Sequence, residues 1–100
     1  MSASFALTPS ASQDISEIVD YILEKSGLNQ ALRVHKKLVD GFRKIGDFPG
    51  IGHARPELID ESVRVYAIFS FLVIYRSDTK PVQILRIIHG ARDLITAMEE

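Results

Sequence analysis

The residues best suited to chemistry are cationic and fall late in the chain. Arg64 and Arg86 lie in two β-branched stretches, His89 and Arg92 follow Arg86 closely, and Tyr66, His53 and Arg55 are polar candidates nearby in sequence. Guanidinium groups hold phosphate and stabilise charge as it develops, while an imidazole takes or gives a proton, so the set has the parts for phosphodiester cleavage. The pattern does not demand that they assemble, because alternation along a regular strand puts Arg86 and His89 on opposite faces. A structural role competes at each position. Arg86 is flanked by apolar Ile84 and Ile88, and His89-Gly90 can end a strand with Asp93 capping a following helix. Other chemistries lack their parts. There is no cysteine, and the three histidines share no ligand spacing with a carboxylate, so neither a metal nor a cofactor is expected. Pro49-Gly50-Ile51-Gly52 lacks the Lys-Ser/Thr pair of a phosphate loop and follows a helical pattern instead of leading into one.

Composition narrows the partners. The 100 residues carry 12 Lys+Arg against 13 Asp+Glu, a formal charge of -1, and 46% of them are apolar. One domain with one core is expected, spanning residues 1–100. Nonspecific binders of nucleic acid or membranes work through a large positive field, which this balance does not supply. The N-terminus lacks the basic start and unbroken apolar run of a signal peptide, and no stretch is long enough to span a bilayer. A cytoplasmic protein without membrane or direct sequence-specific DNA binding is the expectation.

The elements that must position these residues follow from periodicity. Ser4–Leu7 reads as a short strand. Either Thr8 with Pro9 in the first helical position, or Ser10 with Gln13, starts a helix whose apolar residues Ala11, Ile15, Ile18, Val19, Ile22 and Leu23 recur every 3.6 residues. Asp14, Glu17 and Glu24 are assigned to another face and place acid toward the helix N-terminus. The helix ends near Gly27. A second one, capped by Asn29 and closed by Gly46, buries Ala31, Leu32, His35, Leu38, Val39, Phe42 and Ile45. The short connection makes the two an antiparallel hairpin. Residues 47–61 read as a loop. Three strands in meander then follow over residues 63–68, 72–76 and 82–88, with a weakly marked turn around Phe69-Ser70-Phe71. The predicted fold is α+β, in the order β-α-α-β-β-β, with the helix hairpin on a four-stranded antiparallel sheet and a short C-terminal helix. The strands are apolar on both faces, so the second face needs a cover, from residues 93–98 or from a partner.

Three strings carry a family likeness: Leu7-Thr8-Pro9-Ser10-Ala11 leading to Asp14-Ile15; Phe48-Pro49-Gly50-Ile51-Gly52-His53 with Arg64-Val65-Tyr66 and Ile74-Tyr75-Arg76; and Ile84-Leu85-Arg86-Ile87-Ile88-His89-Gly90-Ala91-Arg92-Asp93-Leu94. In this order, over roughly residues 5 to 96, the chain resembles the RelE/ParE superfamily of type II toxins, and His89-Gly90-Ala91-Arg92-Asp93 is similar to the ParE branch. The resemblance implies a toxin neutralised by a cognate antitoxin, with DNA gyrase as the ParE target. The alternative it leaves open is RelE-like cleavage of mRNA on the ribosome, with Arg64 and Arg86 holding phosphate and His89 as acid or base. A second alternative is an inactive relic that only binds its antitoxin. Arg64, Arg86, His89 and Arg92 are then the target-binding candidates. Tyr66, Ile74, Tyr75, Arg76, Arg86 and Leu94 are the antitoxin-binding candidates, with most of that interface expected from residues 62–94. Fold likeness cannot by itself choose between the two activities.

Overall fold

Thr8 decides where the first helix begins. In the computed structural model, which describes residues 4–55, 57 and 60–89, its hydroxyl accepts the Ala11 N–H at 3.1 Å and donates to the Leu85 carbonyl at 2.9 Å. With Pro9 pre-set for the first turn, helix α1 runs Pro9–Ser26. Ser10 is therefore not the cap, and Gln13 bonds forward to Glu17 instead. The helices meet at one residue. Gly27, at φ +89°, ends α1 through its N–H to Leu23 and starts α2, Leu28–Asp47, by accepting from Ala31. Few side chains adopt that φ, so the glycine, and not Asn29, makes the turn. Helix α2 continues through Gly46 to Asp47.

The strands are β1 (Phe5–Leu7), β2 (His53–Ala54), β3 (Val63–Ile68), β4 (Phe71–Arg76) and β5 (Val82–His89), and a single 3-10 turn spans Pro49–Ile51. They form a five-stranded mixed sheet in the order β1-β5-β4-β3-β2. The α+β class and the helix hairpin on the sheet agree with the expectation; the four-stranded antiparallel sheet does not. Strand β1 lies parallel to β5, with Phe5 opposite Val82 and Leu7 opposite Ile84, and β2 adds an antiparallel edge beside β3. Pairing partners are set by which backbone edge is left open: β1 covers β5 over Val82–Ile84, and β2 covers β3 over Arg64–Val65. The expected helix over residues 93–98 lies outside the described residues.

The core sits between the helices and one face of the sheet. Leu38, Phe42 and Ile45 of α2 meet Val73, Tyr75, Val82 and Ile84, all essentially inaccessible. The buried positions of α2 are Ala31, Val34, Leu38, Gly41, Phe42 and Ile45. His35 and Leu32, expected inside, are exposed, because a stripe centred on Val34 also satisfies three- and four-residue spacing. On the opposite face Val63, Val65 and Ile74 form a second buried cluster, with Leu72, Leu85 and Ile88 packed against it. Two apolar faces were expected, and both exist.

Candidate functional site

Asp14 is the residue the sequence reading misplaced. It lies three positions after Ala11 and four before Ile18, on the inner face of α1, and its side chain is only 11% exposed. Its Oδ2 accepts from Arg86 Nε at 2.7 Å and from the Ile87 backbone N–H at 3.0 Å, while Oδ1 accepts from Arg86 Nη2 at 3.1 Å. This is a two-pronged ion pair with a backbone amide added. Strand pairing explains its place. Strand β1 stops opposite Ile84, so β5 runs on as a sheet edge, and Thr8 takes the Leu85 carbonyl while Asp14 takes the Ile87 amide. One carboxylate both blunts an edge and opposes the charge of Arg86.

The other sheet candidates are engaged differently. Arg64 Nη1 donates to the carbonyls of Gly52 at 2.8 Å and Gly50 at 3.4 Å. Tyr75, fully buried, donates its hydroxyl to the Pro49 carbonyl at 2.6 Å and accepts the Gly52 N–H at 2.9 Å. Burial pushes the phenol pKa up, against the Gly52 amide and Arg64, which favour the charged form. Arg64 and Tyr75 thus clasp the 49–52 turn. Arg76 bonds Ser62 Oγ at 2.8 Å and pairs with Asp60 at 3.2 Å and Asp78 at 3.9 Å. The Ser62 hydroxyl, then the Ser62 amide and Arg76, hold the exposed Asp60 carboxyl below its usual range.

The proposed nuclease residues are not brought together. Across β4, Arg64 stands opposite Tyr75, Arg86 opposite Ile74 and His89 opposite Phe71. Arg64 and His89 are therefore four residues apart along the sheet, roughly 13 Å. His89 is exposed, its Nε2 3.0 Å from Ser70 Oγ and its ring 5.1 Å from that of Phe71. Arg92 and Leu94 lie outside the described residues. Of the antitoxin-binding candidates, Tyr66 is half-buried against the core, and Ile74 and Tyr75 are completely buried and present no surface in this structure. Their β-branched and aromatic types signalled a sheet, and the packing on both faces of β4 consumed them.

Accessible apolar surface gathers elsewhere. A groove of about 560 Å³ runs between α1 and the tip of the β3–β4 hairpin, walled by Ile18, Tyr21 and Ile22 on one side and Phe69, Phe71 and Ile87 on the other. Tyr21 and Phe69 are each 62% exposed. Phe69 has φ +56°, and among the described residues no other non-glycine has a positive φ. Ile68 pairs with Phe71, so Phe69 and Ser70 are the whole turn, and a positive φ at only the first of them is the type II′ pattern, where glycine is usual. Holding a bulky residue there costs roughly 1–2 kcal/mol. Lys37 Nζ lies 5.8 Å from the centre of the Phe69 ring. Phe69→Gly is therefore expected to raise stability by about 0.5 kcal/mol in urea denaturation, after glycine's extra chain entropy and the loss of the Lys37 contact. A loss above ~1 kcal/mol would mean that the ring packs as core.

A family model for the ParE toxin of the parDE type II toxin-antitoxin system matches residues 5–94. The chain belongs to the ParE toxin family. In three dimensions this ParE toxin is similar to a solved structure described as the chromosomal ParDE toxin-antitoxin system from P. aeruginosa, with a TM-score of 0.73 and 25% identity over 87% of this chain and 95% of that one. No curated protein is similar enough in sequence to match it. Both findings support a type II toxin. Among the described residues of the ParE chain no cluster of His, Cys, Asp or Glu could hold a metal ion, and no helix is long and apolar enough to cross a membrane.

Proposed function

We propose that this ParE toxin arrests growth by binding a protein, with DNA gyrase as the target that its family implies, and that a cognate antitoxin neutralises it. The observation that carries the choice against RNA cleavage is the Asp14–Arg86 pair. A phosphate-holding arginine must offer its fork to the substrate, whereas Arg86 turns its Nε and Nη2 to a carboxylate on α1. Arg64 turns its Nη1 to two carbonyls of the 49–52 turn, and His89 stands four residues away along the sheet. Cleavage of RNA needs phosphate contacts and a proton-moving group around one bond, and the strand register sets Arg64 and His89 roughly 13 Å apart along the sheet. The formal charge of -1 agrees, since docking to ribosomal RNA draws on a basic surface.

Expression without antitoxin, followed by pulse labelling, tests this reading. DNA synthesis is expected to fall first, with mRNA 5′ ends unchanged. Early loss of protein synthesis with new cuts inside messages would reverse the assignment, and unaffected growth would favour a relic that only binds its antitoxin.

A further inference from the structure

We propose that the outer face of the helix hairpin pairs with the same face of a second copy of this chain, the acidic α1 of each protomer lying over the basic α2 of the other. The inference goes beyond the toxin reading and depends on neither the target nor the antitoxin. It starts from a segregation of charge that the net value of -1 conceals. Helix α1 has Asp14, Glu17, Asp20 and Glu24 against Lys25, and α2 has Arg33, Lys36, Lys37, Arg43 and Lys44 against Asp40 and Asp47, formal charges of -3 and +3. All of these except Asp14 are exposed. Asp20 stands two residues from both Ile18 and Ile22, and Lys36 two from both Val34 and Leu38, and those four side chains pack in the core. Two residues turn a helix by roughly 200°, so Asp20 and Lys36 point away from the sheet. The opposite charges are not spent on one another inside the molecule. Lys36 and Arg43 pair with Asp40 on their own helix, and Lys37 lies over the Phe69 ring. Among the described residues no ion pair joins α1 to α2, and Asp20, Glu24, Arg33 and Lys44 make none at all.

The pattern selects a second copy as the partner. A surface of one sign that is drawn to α2 is repelled by α1, and the reverse, whereas a copy related by a two-fold axis presents both signs in exchanged order. The heights along the hairpin match. Measured from Gly27, Asp20 and Glu17 lie about 10 and 15 Å along α1, and Arg33 and Lys36 about 9 and 14 Å along α2, at 1.5 Å per residue. A two-fold axis running along the hairpin between its helices preserves these heights, so Asp20 meets the partner's Arg33 and Glu17 meets the partner's Lys36. Apolar surface lies at the same end. Leu23 in the last turn of α1 and Leu28 and Leu32 in the first two turns of α2 are 45%, 60% and 58% exposed. Burying these leucines against their own copies supplies the non-directional part of the contact, and the charges set its register.

Sedimentation velocity of the purified chain over a range of concentration and salt tests the assignment. The wild type is expected to dimerise, about 10-fold more weakly at 0.5 M than at 0.05 M salt. Asp20→Lys and Arg33→Glu each reverse a contact that the two-fold axis makes twice, and each is expected to weaken self-association about 10-fold. An equimolar mixture of the two variants is expected to recover it, because both contacts then join opposite charges. Recovery by mixing cannot come from a repaired fold, since each chain folds alone. Lys80→Glu, which changes net charge as Arg33→Glu does but in the β4–β5 turn, should leave self-association within about 2-fold and should not rescue Asp20→Lys. A chain that stays monomeric at its highest soluble concentration in low salt would overturn the proposal. So would charge reversals that leave association within about 2-fold, a mixture no more dimeric than its parts, or rescue by Lys80→Glu as complete as by Arg33→Glu.

Discussion

Asp14→Ala is expected to lower the stability of the ParE toxin by about 3 kcal/mol and its melting temperature by on the order of 10–20 °C. The size comes from what is left behind. The side chains of Asp14 and Arg86 are 11% and 24% exposed, so most of the water that would otherwise solvate the two charges is excluded. Removing the carboxylate takes from the guanidinium the opposing charge and two hydrogen bonds and also unpairs the Ile87 amide at a sheet edge. Asp14→Asn retains an acceptor for the amide and should cost about half as much. In the Arg86→Met background, Asp14→Ala should cost ~1 kcal/mol, because the ion pair is already gone and only the Ile87 amide loses its acceptor, and the difference is the coupling energy of the pair. Thermal and urea denaturation of the four proteins measure it. A coupling below ~0.5 kcal/mol would mean that the pair behaves as a screened surface bridge.

Gly52→Ala is expected to cost about 2 kcal/mol. A methyl group on Gly52 would lie 2.7 Å from the Tyr75 hydroxyl oxygen and 2.8 Å from the Val65 carbonyl oxygen, and a backbone atom held in the β2–β3 ladder cannot step aside cheaply. Tyr75→Phe removes the hydroxyl collision, leaving those with the Val65 carbonyl and with the ring Cε1 at 2.9 Å, but it leaves the Gly52 amide and the Pro49 carbonyl without their partner, at a cost of about 1–2 kcal/mol. The double variant should be less destabilised than the two costs together, by about 0.5–1 kcal/mol. The phenol adds a pH signature. Its folded pKa lies above the ordinary value of 10, so the stability it confers is complete below about pH 10 and is lost as pH rises through the folded value. Tyr75→Phe should flatten that alkaline limb. Additive costs and an unchanged alkaline limb would remove Tyr75 from the clasp.

How much of this was legible in advance depended on whether the signal was local. The helix hairpin, the three later strands and the Thr8-Pro9 start follow from periodicity and capping chemistry, which act over a few residues. The partner of β1 and the existence of β2 do not: two residues at His53–Ala54 carry no periodicity, and a three-residue strand reads the same whether it pairs parallel or antiparallel. Asp14 was readable and was misread. Ala11, Ile15, Ile18 and Ile22 define a stripe in which position 14 falls at both i+3 and i-4, so an acid there implies a buried cation elsewhere in the chain. Arg86 is that cation. His35 failed for the opposite reason, since two stripes one residue apart fit α2 equally and Val34 belongs to the one that packs. Phe69 carried no warning, because type II′ turns announce themselves through glycine and this one has none.

The ParE reading turns on what the folded toxin does to gyrase. Purified toxin, free of antitoxin and titrated to excess, should inhibit supercoiling and trap cleaved DNA on the enzyme, and equimolar antitoxin should abolish both effects. Gyrase that supercoils normally and leaves no trapped cleavage at saturating toxin, with the toxin folded and still able to bind its antitoxin, would contradict the account.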